Sequence, residues 1–210
     1  MRHLYNIFTD RKRVNLDISN KCTLECIACS RQTNRFNGTP IPGKDMTISQ
    51  WKKLVKHYKR FSLCGQISDP IFNPNLLEFI KIAKDNNALV SIHTAATAKN
   101  KKLDWYIKAF ELYKAGVSWK FGIDGFPDVS PIYRTNQDAE FLFNVMIKGN
   151  EIGADVKWQF IIFSFNYLNF CFTLFKRYYI CFFLIIFGIF SRNLLGIFKF
   201  LFNYFFFRLF

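Results

Sequence analysis

Acidic residues run out early in this 210-residue chain: none follows Asp155, and no proline follows Pro131. A surface helix of a folded domain needs both charge signs and an apolar stripe, so the C-terminal stretch does not read as more of the same domain. Cysteine is sparse outside one place. Three of the six fall within eight residues, while Cys64, Cys171 and Cys181 stand alone. No second C-x2-C pair exists, which removes the usual four-thiolate zinc frameworks. No apolar run reaches the roughly 20 residues of a membrane-spanning helix; the uninterrupted run Tyr178–Phe190 is closed by Lys176-Arg177 and Arg192. Met1–Asp10 is polar and mixed, with neither an apolar core nor a small-residue cleavage site, so no secretory leader is expected. Clustered cysteines without an export signal suit a reducing interior. A cytoplasmic location is expected, with membrane association as the alternative.

Charge is present but uneven. The formal net charge is +14. Residues 1–60 carry 13 Lys/Arg against 4 Asp/Glu, residues 61–159 carry 11 of each, and the remainder carries 5 cations and no acid. A basic first third can face nucleic acid. Here Lys52, Lys53, Lys56 and Lys59 fall mostly opposite the stripe Ile48, Trp51, Leu54, Val55 and Tyr58. They read as a solvated helix face, and no nucleic-acid partner is expected.

The chemistry-bearing feature is the run Lys21-Cys22-Thr23-Leu24-Glu25-Cys26-Ile27-Ala28-Cys29. Three thiolates at C-x3-C-x2-C spacing on one loop can hold three irons of a [4Fe–4S] cube and leave the fourth open. An open iron is a reactive site, whereas a fully ligated cluster is mainly an electron carrier. His93 could serve as a fourth ligand, but a lone histidine ending an apolar run reads more simply as a packed core residue.

Arg13 to Asn20 reads as a strand running directly into this loop, and with it the chain resembles the radical S-adenosylmethionine (radical SAM) superfamily. The resemblance implies that Cys22, Cys26 and Cys29 hold a [4Fe–4S] cluster whose open iron binds S-adenosylmethionine. Ile27 stands where the family usually has an aromatic side chain near the adenine. Ser68-Asp69-Pro70 is similar to the family's glycine-rich motif after the second strand, which holds the cofactor's amino group, with Asp for Glu and Ser for Gly. Thr94 and Thr97 fall where the third strand contacts the cofactor, although hydroxyls there are also ordinary helix caps. Phe121 to Phe126, followed by Tyr133-Arg134, resembles the fourth-strand region of the peptide- and protein-modifying branches. Asp124 is there a candidate for the ribose hydroxyls or the substrate, or a plain turn residue before Gly125. A peptide or protein side chain is the substrate class implied, with a reductant protein as electron donor.

Elsewhere the chain alternates. Arg31 to Lys44 is a polar connection, and Thr47-Ile48-Ser49-Gln50 fits a capping box opening a helix. Strands are expected at 61–65, 88–92, 117–123 and 156–163. Helices are expected after Asn73-Pro74, over 104–115 closed by Gly116, and over 138–152 closed by Gly153. Alternation without hairpin signals implies an α/β fold, a partial (β/α) barrel of parallel strands. Residues 12–165 make up the expected radical SAM core, and the barrel is expected to be incomplete at its C-terminus. Residues 166–210 form a separate, Phe-rich segment; 17 of the 27 phenylalanines lie in residues 160–210. Three readings of it stand: translation out of frame, an interfacial membrane-associating segment with cationic flanks, or a sixth βα unit. The functional alternative to a radical SAM enzyme is a non-catalytic, membrane-associated iron–sulfur or zinc-binding protein.

Overall fold

The computed structural model describes residues 13–166. Cys171, Cys181, the run 178–190 and the readings of the Phe-rich segment from residue 167 onward lie outside the described residues.

Five strands form one sheet in sequential order: β1 (Arg13–Asn15), β2 (Arg60–Leu63), β3 (Leu89–Thr94), β4 (Val117–Gly122) and β5 (Asp155–Gln159). All neighbouring pairs are parallel. Right-handed crossovers between sequential parallel strands place every connecting helix on the same face, which is how a (β/α) barrel begins. The helices are α1 (Ser30–Phe36), α2 (Ile48–His57), α3 (Leu76–Asp85), α4 (Leu103–Leu112), α5 (Ser130–Tyr133) and α6 (Ala139–Glu151). The expected α/β partial barrel is the architecture found.

Period-two alternation assigns each strand residue to a face. Val90, Ile92, Val117, Trp119 and Phe121 point into the helix layer and are buried. There Trp51 stacks on Phe79 with ring centroids 5.0 Å apart, and Trp119 meets Phe110 edge-on at 5.2 Å. The Trp51 indole donates to the Phe79 carbonyl at 3.0 Å, which satisfies its polar edge inside the core. The alternate residues Ser91, His93, Ser118 and Lys120 are only half-buried, on the inner face of the sheet.

Thr47 closes the capping box as expected: its hydroxyl accepts from the Gln50 amide at 3.3 Å, and the Gln50 side chain accepts from the Thr47 amide at 2.8 Å. Several boundaries differ from expectation. The polar connection contains α1, a short helix with no buried residue, so no apolar stripe announces it. The β1 ladder ends at Asn15 and β5 at Gln159, because the chain leaves each strand to build the loops described below. Asn73 does not cap α3, where Asn75 holds that position. Asn73 is fully buried, its amide donates to the carbonyls of Ile18 and Met46, and its oxygen accepts from the Asn75 amide at 2.8 Å.

Candidate active site at the carboxyl ends of the strands

Every strand-to-helix loop of a parallel barrel emerges at the carboxyl edge of the sheet, so polar groups from distant sequence meet there. A cavity of about 370 Å³ lies at this edge. Cys22, Cys26 and Cys29 line it, and so do Ser68, Asp69 and Thr94. Six of the residues singled out from sequence are thus brought together. Ile27 is exposed and Asp124 fully buried, and neither lines the cavity.

The cysteine loop is held on three sides. The Glu25 amide donates to the Thr135 carbonyl at 3.0 Å, and the Thr23 hydroxyl reaches the Thr97 carbonyl at 3.4 Å. Arg31, also on the cavity wall, donates from Nη1 to the carbonyls of Asn20 at 2.8 Å and Ile67 at 3.0 Å, so it ties the cysteine loop to the loop after β2. Its Nε is buried without a partner. Burial raises the Cys22 thiol to about 12, with Asp69 adding to the shift. Burial also raises Cys26, and the Arg134 guanidinium opposes that rise.

The loop after β2 is shaped by Asp17, a residue with no motif to announce it. One carboxylate oxygen accepts from the Gln66 amide at 2.8 Å and the Ser68 hydroxyl at 3.1 Å. Gly65 has φ +44°, and a Cβ there would sit 2.1 Å from the Ser68 carbonyl oxygen, so only glycine permits the turn. Asp69 bridges inward: Oδ2 accepts from the amides of Ala95 at 2.8 Å and Ala96 at 2.9 Å, and Oδ1 from Ile71 at 3.0 Å. The Thr94 side chain also hydrogen-bonds this carboxylate, so the protein itself takes most of its acceptor sites. Burial raises the Asp69 carboxyl above its usual range while those amides pull it down. Thr94 lines the cavity beside it; Thr97 does not.

Beyond β4 the expected Asp124 acts as a buried hub. It accepts from the Ile161 amide at 2.8 Å, and its other oxygen lies 2.7 Å from Arg134 Nε as an ion pair without hydrogen-bond alignment. The Asn166 side chain donates to the Asp124 carbonyl at 2.8 Å. Gln137 completes the brace, donating to the carbonyls of Ala95 at 2.7 Å and Gly122 at 2.8 Å. Arg134 and Tyr133 line the cavity. His93 does too; it is half-buried beside Ser91 at 3.1 Å rather than packed in the core.

The donor set fits an iron–sulfur cluster: three soft thiols from one short loop share an open cavity with a cationic side chain. Among the described residues, no group of three or more His, Cys, Asp or Glu converges on a single metal ion, and no helix is long and apolar enough to cross a membrane.

No protein-family model matches this chain, and no curated protein does. Solved structures do. The chain is similar to SuiB of Streptococcus suis, with a TM-score of 0.59 and 10% identity over 82% of this chain and 39% of SuiB. SuiB bound to S-adenosylmethionine matches at 0.58 and 11% identity, covering 81% of this chain. SuiB bound to the precursor peptide SuiA matches at 0.57 and 10%. The two proteins share a fold. The match spans well under half of SuiB's length.

Proposed function

We propose that this chain is a radical SAM enzyme. The observation that carries the reading is the meeting, at the carboxyl edge of one parallel sheet, of three thiols from a single loop with Ser68, Asp69 and Thr94. A [4Fe–4S] cluster with S-adenosylmethionine supplies, when bound, one-electron cleavage of the sulfonium and a 5′-deoxyadenosyl radical that takes hydrogen from substrate.

The chain's own part is placement. Cys22, Cys26 and Cys29 would hold three irons. Arg31 and the Glu25–Thr135 hydrogen bond fix the loop that presents them. Asp17 and Gly65 shape the loop after β2, and Asp69 locks that loop to the end of β3; Ser68 and Asp69 would hold the cofactor's amino group. Thr94 offers a hydroxyl to the same ligand. Asp124 acts by bracing Arg134 and the residues after β5, not by touching ribose. Ile27 is exposed and outside the cavity lining; a contact with adenine rests on the family resemblance alone.

A peptide or protein side chain is the proposed substrate class. Its support is the fourth-strand resemblance and the fold shared with a protein solved with a precursor peptide. A small reductant protein is the proposed electron donor. The test is anaerobic reconstitution with iron and sulfide, then S-adenosylmethionine and dithionite. The reading expects 5′-deoxyadenosine well above a Cys26→Ala control; equal amounts from both proteins would end it.

A further inference from the structure

Among the described residues that line the cysteine cavity, Tyr133 alone carries a six-membered aromatic ring. It ends α5, and the backbone that carries it runs alongside the cysteine loop. The Ile27 amide donates to the Tyr133 carbonyl at 3.4 Å, and the Glu25 amide to the Thr135 carbonyl at 3.0 Å. Phe163 backs the ring, with centroids 4.4 Å apart and planes tilted by 38°, and Phe165 stacks on Phe163 at 5.2 Å. A ring supported in this way loses little freedom when a flat ligand is laid against it.

The cavity's two sides differ in chemistry. Asp69 belongs with Cys22: its charge adds to the rise that burial imposes on that thiol. Tyr133 belongs with the other two cysteines: burial raises its phenol, and the charges of Cys26 and Cys29 add to the rise. A carboxylate suited to an ammonium thus stands on one side and an aromatic ring on the other. Ile27, on the cysteine loop itself, is 71% exposed and outside the cavity lining. The other aromatic group on the wall, the His93 imidazole, is engaged by the Ser91 hydroxyl at 3.1 Å.

We propose that Tyr133, and not Ile27, is the side chain on which the adenine of S-adenosylmethionine stacks. The inference rests on the radical SAM reading for the identity of the ligand and deepens it by naming the residue that receives the base. A purine is flat and polarisable, and an aromatic side chain holds a base through its face without reading its hydrogen-bonding edge.

The test is equilibrium dialysis of S-adenosylmethionine with the anaerobically reconstituted, unreduced full chain and four variants, each assayed for iron content. The cluster is left oxidised so that the ligand is bound and not cleaved. Tyr133→Ala and Tyr133→Leu should each weaken binding about tenfold. Tyr133→Phe and Ile27→Ala should keep the parent affinity, and all four should load as much iron as the parent. Equal affinity in parent and Tyr133→Ala overturns the inference. So does parent-like affinity in Tyr133→Leu, which would mean that apolar bulk suffices, or an equal loss from Ile27→Ala. Iron lost from Tyr133→Ala and Tyr133→Phe alike would also overturn it, because the residue would then serve the loop and not the base. A parent chain that loads iron but binds no S-adenosylmethionine ends the radical SAM reading and this inference together. A parent that binds while the Tyr133 variants bind equally well ends this inference alone, so the two failures are told apart.

Discussion

The two faces of this one sheet obey opposite rules. Toward the helices, Trp119 and Phe121 alternate in a core whose large side chains are almost fully buried. On the inner face, one residue away, Lys120 stands half-buried, with no ion-pair partner among the described residues. Stability is invested in the helix face, and the inner face is free to carry chemistry. Strand alternation alone separates the two tasks, since adjacent side chains point in opposite directions.

Substitutions that cross this boundary should differ sharply. Trp119→Ala empties a fully buried site and should cost about 4 kcal/mol, enough to unfold much of the protein in urea titration. Lys120→Ala, its neighbour, should cost under about 0.5 kcal/mol. Similar losses from both would abolish the distinction. Asp124→Asn breaks the exception, a buried charge, and strands Arg134; the expected loss is about 3 kcal/mol, read as a lower urea midpoint. It should also loosen the residues after β5, visible as faster amide exchange at Ile161, whose amide Asp124 accepts.

Two smaller effects sharpen the account. Alanine is the better helix former by about 1 kcal/mol, yet Gly149→Ala in α6 should destabilise. Its new Cβ would lie 2.8 Å from a Val156 methyl and 3.0 Å from the Phe110 ring. A raised melting temperature would show that the helix–sheet contact yields easily. Lys101, buried over the Trp105 ring at 4.1 Å, is held down to about 8 by desolvation. Its folded pKa lies below its ordinary 10.5, so the folded state binds fewer protons between those values and stability rises with pH across that window. Below about pH 8 the penalty is complete. Lys101→Met should therefore stabilise at pH 7, by about 1 kcal/mol once the lost cation–π contact is counted, and the gain should fade by pH 10. A gain constant across pH would contradict the desolvation account.

The fold was readable wherever a pattern had a physical cause acting over a short range. The capping box at Thr47, the apolar stripe of α2 and the alternation of β3 and β4 are such cases. The cysteine spacing carried the site for the same reason, because one loop holds all three thiols. What escaped was held by long-range hydrogen bonds. Asp17 shapes a loop about fifty residues away, Gln137 braces two strand ends, and Asn73 staples Ile18 to Met46; none has a local signature. Helix α1 escaped for want of any buried side chain. The place of Asp124 after β4 is legible in sequence, but its engagement by Arg134 and Ile161 depends on partners no single stretch reveals.

The central claim is that three cysteines here leave one iron of a cluster open to S-adenosylmethionine. Its most direct test is electron paramagnetic resonance of the anaerobically reconstituted, dithionite-reduced protein titrated with that cofactor. The account predicts a reduced cluster signal that changes shape as S-adenosylmethionine is added and is absent in Cys26→Ala. A cluster signal that ignores the cofactor at every concentration would contradict it.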